Sequence, residues 1–302
     1  QLEQWRELFI EILYSKFPTG AYENWERCRS LFPHVKAAIS QRPESLVSLQ
    51  YWATLLCRGA WYARESGHIT ESVEMASRSR KYRVKMFGAE NEETLDSTAM
   101  LALAYRLNGR WEEAEQLQIQ VMETHKTNLG ADHPNTLTSI SNLASTHRNQ
   151  GRWEEAEQLD VQVMEARKTK LGADHPSTLT SMNNLALTFL NQGRWEEAEQ
   201  LQMQVMETSK TKLGADHPST LTSMNNLAST YRSQGRWKEA EQLELQAMET
   251  RKIRLGAEHP DTLASMANLA FTLNTAGRCS EAVDLLRACV VKQQRILGLA
   301  HP

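Results

Sequence analysis

The chain has 302 residues, of which 40% are apolar and 24% are charged, so it can bury a sizeable core. Its formal net charge of −3 at pH 7 gives no electrostatic reason to expect a nucleic acid or an anionic membrane as a partner. No window approaches the roughly 18 consecutive apolar residues of a membrane-spanning helix, and we expect a cytoplasmic protein.

Residues 1–45 predict an N-terminal helical segment. The opening stretch, QLEQWRELFIEILYSKF, is amphipathic and charged, and it lacks the uninterrupted apolar centre of a signal peptide. The sequence begins with Gln1 rather than Met, which indicates a fragment of something longer.

The four cysteines, Cys28, Cys57, Cys279 and Cys289, show no CxxC spacing. Cys279 and Cys289 are ten residues apart on one predicted helix, roughly 15 Å along its axis, which is too far for a disulfide. We therefore expect reduced thiols, as is typical of a cytosolic protein, with no metal or redox role.

From residue 46 onward the chain predicts an array of repeated units of 42 residues. Two markers recur at this step: the motif LGADHP or a close variant, and G-R-W-[EK]-E-A-E-Q-L, which becomes GRCSEAVDL in its last copy. The glycines of the second marker are Gly109, Gly151, Gly193, Gly235 and Gly277. The copies that begin at Gly151 and Gly193 match at 34 of 42 positions. We predict a degenerate pair at 46–88, then pairs at about 89–130, 131–172, 173–214, 215–256 and 257–302.

Each unit predicts two helices. After Pro176, apolar or small residues recur at steps of three and four, which is typical of one helix face. Pro176 suits a first-turn position, Asp174 can cap free amides, and Gly193 ends the helix. A second apolar face follows from Trp195, and we expect the tryptophans at 111, 153, 195 and 237 to fill the gaps between units.

Neither helix can bury its apolar face alone, so neighbouring units must stack. The sequence therefore predicts an all-α fold, an α-solenoid built as a right-handed superhelix of tandem antiparallel helix pairs.

Residues 88–302 resemble the tetratricopeptide repeat family, in its 42-residue kinesin-light-chain-like variety. The matching elements are SMNNLA at 181–186 and 223–228, the helix-ending glycine, G-R-W-x-E-A and the LGADHP connector. Residues 17–39 and the tryptophan-rich helix pair at 46–86 resemble the segment before such repeats in fungal NB-ARC immune-receptor-like proteins. That resemblance implies a ligand-sensing part of a larger protein with a separate nucleotide-hydrolysing domain. The chain has no G-x-x-x-x-G-K-[ST] loop, so we expect no nucleotide binding here.

The family resemblance implies that an extended peptide binds along a concave surface lined by the first helix of each pair. It places the asparagine of the NLA motif there, which gives Asn142, Asn184, Asn226 and Asn268. A carboxamide can both donate to and accept from a peptide backbone. The preceding unit has Met100 at this position, so the row begins at Asn142. The alternative is that these asparagines hydrogen-bond the neighbouring helix.

Two further rows differ among the copies in charge, polarity and volume, which a packed core would not favour. They are Ser145, Leu187, Ser229 and Phe271, and Arg148, Leu190, Arg232 and Asn274. Such variation fits a surface that recognises different partner side chains in succession, and it also fits drift on a solvated face. In this interpretation Arg148 and Arg232 favour acidic side chains. A third row, His147, Phe189, Tyr231 and Leu273, is expected to turn toward the partner helix.

The recurrent histidines do not predict a metal site. His133, His175, His217, His259 and His301 lie on separate helix pairs, at least about 8–10 Å apart, whereas zinc ligands lie near 2 Å from one ion. Adjacent acids such as Glu154 and Glu155 do not face each other on a helix. No Ser/His/Asp or Cys/His set converges, so we predict no enzyme and no cofactor.

The sequence therefore predicts a protein- or peptide-binding repeat module, the ligand-sensing or scaffold part of a larger protein. Its partner is a protein or extended peptide in the groove, and the chain is a monomer or self-associates weakly through its array ends. The alternative is an oligomerisation scaffold that acts through those ends. An enzymatic function would need a pocket chemistry that the sequence does not show.

Overall fold

The computed structural model describes residues 1–297, with side chains through residue 294. In that range it contains fourteen α-helices, one short 3-10 helix at Tyr22–Asn24 and no strand. The helices are α1 (Leu2–Lys16), α2 (Trp25–Ala38), α3 (Leu46–Glu65), α4 (Ile69–Phe87), α5 (Glu92–Leu107), α6 (Trp111–Leu129), α7 (Pro134–Asn149), α8 (Trp153–Leu171), α9 (Pro176–Asn191), α10 (Trp195–Leu213), α11 (Pro218–Ser233), α12 (Trp237–Leu255), α13 (Pro260–Thr275) and α14 (Cys279–Leu297). The predicted all-α fold of stacked helix pairs is confirmed. The end of the last predicted pair, 298–302 with His301, lies outside the described residues.

The chain forms two compact units, residues 1–150 (unit 1) and residues from 151 onward (unit 2). Within each unit, successive helices pack against each other, and first helices also contact one another, as α5 does with α7 and α11 with α13. No helix in the described range has both the length and the apolar character needed to cross a membrane.

The N-terminal helices of unit 1 share one core with α3. Trp52 is almost fully buried, and its indole Nε1 donates to the carbonyl of Ala38 at 2.7 Å. Phe17 and Cys28 lie in the same cluster. Gly20 approaches α3 so closely that an added Cβ would lie 2.6 Å from the backbone nitrogen of Tyr62. The segment before residue 46 is therefore packed onto α3.

The connector histidines are helix caps. The Nδ1 atoms of His133, His175, His217 and His259 accept hydrogen bonds, at 3.1–3.2 Å, from the backbone N–H two residues later. Pro176 is the first residue of α9, as predicted, but the predicted cap Asp174 is wrong. The chain turns at Gly172, with φ 93°, and this turn leaves His175 in extended backbone directly before the proline. The side chain nearest the free amides is thus a histidine.

The repeated tryptophans are less buried than expected. Trp111, Trp153 and Trp195 are 38–40% exposed. Each is the first residue of its helix, so one side of the ring meets solvent beyond the helix end. The alanines three residues later, such as Ala156 and Ala198, are fully buried and mark the close helix contact.

A buried polar pair joins the second helix of each pair to the first helix of the next. The Oγ1 atom of a threonine donates to a side-chain oxygen at 2.6–2.7 Å: Thr146 to Gln118 in unit 1, and Thr188 to Asp160, Thr230 to Gln202 and Thr272 to Glu244 in unit 2. Each of these side chains is almost fully buried. The threonine is constant, whereas its partner differs from copy to copy.

An exposed ion-pair network links successive second helices at their N-termini. In unit 2, Nη1 of Arg194 lies 2.8 Å from Glu157 of the preceding pair, and Nη2 lies 2.6 Å from Glu197 of its own helix. The same guanidinium stacks 4.1 Å from the ring centroid of Phe189. Arg236 repeats this arrangement with Glu199, Glu239 and Tyr231. The third sequence row thus turns toward the partner helix.

Candidate peptide-binding face of the first helices

The row of four predicted asparagines lies on the first helices α7, α9, α11 and α13. Asn142, Asn184, Asn226 and Asn268 are all half-buried. Their carboxamides make no hydrogen bond with any residue that the structure describes, so the alternative of a bond to a neighbouring helix finds no support there. Their amide groups are open to a ligand.

A second polar row, which the sequence interpretation missed, lies one residue earlier. Asn183 and Asn225 each have a buried Oδ1 atom without a hydrogen-bond partner in the described chain, and Ser141 has a buried Oγ in the same state. Nδ2 of Asn225 reaches Oγ of Ser265 on the next first helix at 3.4 Å. The signal was the NN doublet in SMNNLA, of which only the second member was assigned.

The first variable row is partly engaged within the protein. Oγ of Ser145 accepts from Nη2 of Arg148 at 2.7 Å, and Oγ of Ser229 accepts from Nη2 of Arg232 at 3.2 Å. Leu187 is half-buried, and Phe271 is 57% exposed. Phe271 is therefore the most accessible apolar side chain of the row.

In the second variable row, the charge of Arg232 is compensated within the protein. Nη1 of Arg232 lies 2.6 Å from Oε1 of Glu244, which has no exposed surface, and 3.3 Å from Oγ1 of Thr272. Burial raises the pKa of the Glu244 carboxyl, while Thr272 and Arg232 act against that rise. Arg232 therefore attracts an acidic partner less than a solvent-facing arginine would. Leu190 is half-buried and Asn274 is exposed.

The described residues provide no group of three or more His, Cys, Asp or Glu side chains that could hold a metal ion. The histidines that recur most regularly have their Nδ1 atoms occupied by the helix caps described above. The first-helix face presents amides, hydroxyls, guanidinium groups and a few apolar side chains. These groups are suited to binding a ligand.

Comparison with protein-family models identifies tetratricopeptide repeats at residues 93–169, 138–211 and 185–253, and a second tetratricopeptide model matches residues 262–302. No curated protein sequence matches the chain. A crystal structure of nearly identical TPR-like repeats from Podosopora anserina, described as a kinesin light chain, is 34% identical. It covers 67% of this chain and 95% of that chain, with a TM-score of 0.54.

Two more distant structures share the fold. A Rap protein complexed with Competence and Sporulation Factor is 12% identical, with a TM-score of 0.64 over 98% of this chain and 77% of that chain. NprR in complex with its cognate peptide NprX is 13% identical, with a TM-score of 0.59 over 98% of this chain and 80% of that chain.

Proposed function

Because the chain belongs to the tetratricopeptide repeat family, we propose that it is a repeat module that binds a protein or an extended peptide along its first helices. The observation that carries this proposal is the asparagine row. Its carboxamides are half-buried and unpartnered within the described chain, while the threonines one turn later, such as Thr188 and Thr230, are buried and bonded. NprR, whose fold is similar, was solved with a bound peptide.

The asparagines would hold the partner by its main chain. An extended peptide presents N–H and C=O groups that no internal bond satisfies, and a carboxamide can pair with both. Such recognition does not depend on the partner's side chains. Selectivity would then come from the variable rows, for example from Phe271 and Leu187, which offer apolar contact.

The test uses random peptides displayed on phage with free carboxyl termini and selected on the immobilised chain. Recovered peptides are synthesised, and their Kd values are measured by fluorescence anisotropy. We expect the double variant Asn184→Ala, Asn226→Ala to bind about tenfold or more weakly, because each truncation removes a hydrogen-bonding partner.

The matched control is Gln200→Ala with Gln242→Ala, which truncates two exposed carboxamides on the second helices α10 and α12. Its affinity should equal that of the wild type. Equal weakening by both double variants, or failure to recover any peptide, would contradict the proposed function.

The chain would act by binding rather than catalysis, as the ligand-sensing or scaffold part of a larger cytoplasmic protein. Support for the larger context comes from the resemblance of residues 17–39 to the segment before repeats in NB-ARC proteins. The four cysteines are free, as in a reducing compartment. Burial raises the pKa of the Cys28 thiol to about 11, which keeps it unreactive.

A second candidate, self-association through the array end, is favoured by one observation on α14. Val283, Leu286 and Val290 are 42–46% exposed on one face of this helix. Leu286 is the equivalent on α14 of Glu244 on α12. Glu244 is covered by the next first helix, α13, whose Thr272 bonds to it. We propose Leu286→Lys with Val290→Lys as the test, with mass measured by light scattering. A wild-type chain that is monomeric at micromolar concentration would exclude this candidate.

A further inference from the structure

One position of the second helices holds an arginine in three copies of the repeat and a histidine in another. In each arginine copy, the guanidinium Nη1 donates to the hydroxyl of a serine fourteen residues later, at 2.5–2.8 Å. His125 makes the corresponding contact, because its Nδ1 atom lies 2.9 Å from Oγ of Ser139. An imidazole changes its charge between about pH 5 and 8, whereas a guanidinium keeps its charge. The residues at this position are Arg83, His125, Arg167, Ser209, Arg251 and Gln293.

The hydrogen bonds of Ser139 fix where the neutral His125 ring carries its proton. The hydroxyl has one hydrogen, and it donates this hydrogen to the carbonyl of Asn135 at 2.9 Å. Its oxygen therefore accepts from Nδ1–H of His125, as the equivalent serines accept from arginine. A neutral imidazole has only one N–H, so Nε2 holds a lone pair. This Nε2 atom is buried and has no hydrogen-bond partner among the described residues.

A carboxylate of α5 faces that lone pair. Oε2 of Glu92 lies 3.8 Å from Nε2 of His125, and Oε1 of Glu92 accepts from Nδ2 of Asn135 at 3.0 Å. Two acceptors thus face each other while the ring is neutral. Protonation gives Nε2 a hydrogen and the ring a positive charge, which makes the contact an ion pair. The side chains are 10% and 55% exposed respectively for His125 and Glu92, so we expect the attraction of a partly screened pair.

Other charged groups around this junction also favour an added positive charge. Besides Glu92, α5 contributes Glu93 and Asp96, and α4 contributes Arg83, whose Nη2 lies 3.5 Å from Glu93. Burial and then Glu92 raise the pKa of the Asp96 carboxyl, while Arg83 and His125 act against that rise. On α6 itself, the residues three and four positions from His125 are uncharged. The groups named here are three carboxylates and one permanent cation.

We propose that His125 and Glu92 form a proton-operated clasp between α6 and α5 of unit 1, a contact that is weak while the imidazole is neutral and becomes an ion pair when Nε2 binds a proton. Asn135 of α7 holds the same carboxylate, so the clasp joins both helices of one pair to the first helix of the next. Mild acid therefore tightens this junction. The cap of α7, His133, responds in the opposite direction, because its Nδ1 atom accepts from the backbone only when unprotonated. The clasp is a property of the fold that goes beyond the proposed peptide binding.

Amide exchange of the full chain, followed by mass spectrometry over residues 121–129, tests the clasp through a double-mutant cycle of His125→Gln and Glu92→Gln. At about pH 7.5 the effects of the two substitutions on protection should be additive. At about pH 5.5 they should be coupled, with the wild type protected about two- to fivefold more than additivity gives. Variants are compared at one pH, so the intrinsic pH dependence of exchange cancels.

Three further variants separate the clasp from other effects. His125→Arg introduces the residue found at the equivalent position 83, and it should be coupled to Glu92 at both pH values because its charge is permanent. His34→Gln changes an exposed histidine of α2 and should be additive with Glu92→Gln at both. Asp96→Asn removes the other carboxyl of α5 with a raised pKa, and the cycle repeated in that variant should keep its coupling in acid.

Additivity of His125→Gln and Glu92→Gln at both pH values would overturn the clasp, and so would an equal coupling at both. Should His125→Gln not fold, the effect of Glu92→Gln in the wild-type chain is compared with its effect in His125→Arg. The clasp requires the first effect to grow in acid while the second stays constant. The same dependence on pH in both chains would overturn it.

Discussion

Nη1 of Arg232 lies 2.6 Å from Oε1 of Glu244, and the two residues lie on the two helices of one pair, α11 and α12. The preceding pair has Leu190 and Gln202 at these two positions, so a charged pair and a neutral pair occupy equivalent places. The same protein thus contains both versions of one buried contact.

We expect Arg232→Leu to lower the free energy of unfolding by about 3–5 kcal/mol, because it leaves the Glu244 carboxylate buried and unpaired. Adding Glu244→Gln recreates the Leu190 and Gln202 combination and should restore most of the loss. Chemical denaturation of both variants measures this. If the double variant is no more stable than the single one, the ion pair is not the cause.

The single variant Arg232→Leu should also become more stable at acid pH. The folded-state pKa of Glu244 is raised above its ordinary value of about 4.5, so protonation favours the folded chain. The free energy of unfolding of Arg232→Leu should therefore fall as the pH rises from about 4.5 through that raised pKa. A pH series of melting temperatures, with Arg232→Leu, Glu244→Gln as the control without this carboxyl, tests the sign.

The histidine cap of α13 predicts a loss of stability in acid. Nδ1 of His259 accepts from the backbone N–H of Asp261, so protonation removes the cap, and burial lowers the pKa of the imidazole. Stability should therefore fall as the pH drops from about 6.5 toward the lowered pKa. The stability of His259→Asn, whose side chain can cap the helix at either pH, should fall less in acid. At neutral pH the free energy of unfolding of His259→Ala should be about 1 kcal/mol lower than that of the wild type. Parallel curves for His259→Asn and the wild type would contradict this.

Two neighbouring glutamates of α10 should differ in their effect on stability. Glu199 receives hydrogen bonds from Arg236 at 2.8 Å and from Gln234 at 2.8 Å, whereas Glu196 is exposed and has no partner in the described chain. Glu199→Ala should lower the melting temperature more than Glu196→Ala does. Equal shifts would mean that the ion pairs between second helices contribute nothing measurable.

Amide exchange should be faster in α14 than in the equivalent α10. The apolar face with Leu286 and Val290 is open on α14, whereas in α10 the corresponding positions are covered by α11. A helix with fewer buried contacts opens at a lower free energy. Mass-spectrometric exchange of 279–294 against 195–210 measures the difference. Equal protection in the two segments, or protection of α14 that depends on concentration, would contradict a frayed end.

The helices and their stacking were predictable because the 42-residue period aligns apolar stripes that can be buried only against neighbours. Pro176 at the start of α9 followed from the same periodicity. The cap was not predictable with equal ease, because Asp174 and His175 both precede the proline, and the turn at Gly172 decides which of them reaches the amides. Sequence position alone does not show which of these two side chains points toward the free amides.

For the candidate site, the sequence predicts which residues lie on the first helices but not the state of each side chain. From the sequence alone, Arg232 is expected to favour an acidic side chain of a partner. In the structure, Arg232 forms an ion pair with a residue twelve positions later, Glu244. Only the packing of one helix on the next shows that these positions meet.

The buried threonine pairs affect how the number of copies can change. Every described repeat from α7 onward supplies the same threonine, and the acid Glu244 and its arginine lie within one helix pair. Removal of a whole neighbouring copy, such as residues 173–214, would therefore leave Arg232 and Glu244 together and still provide a threonine at each junction. Repeats of this kind can be gained or lost as complete units without stranding a charge in the interior.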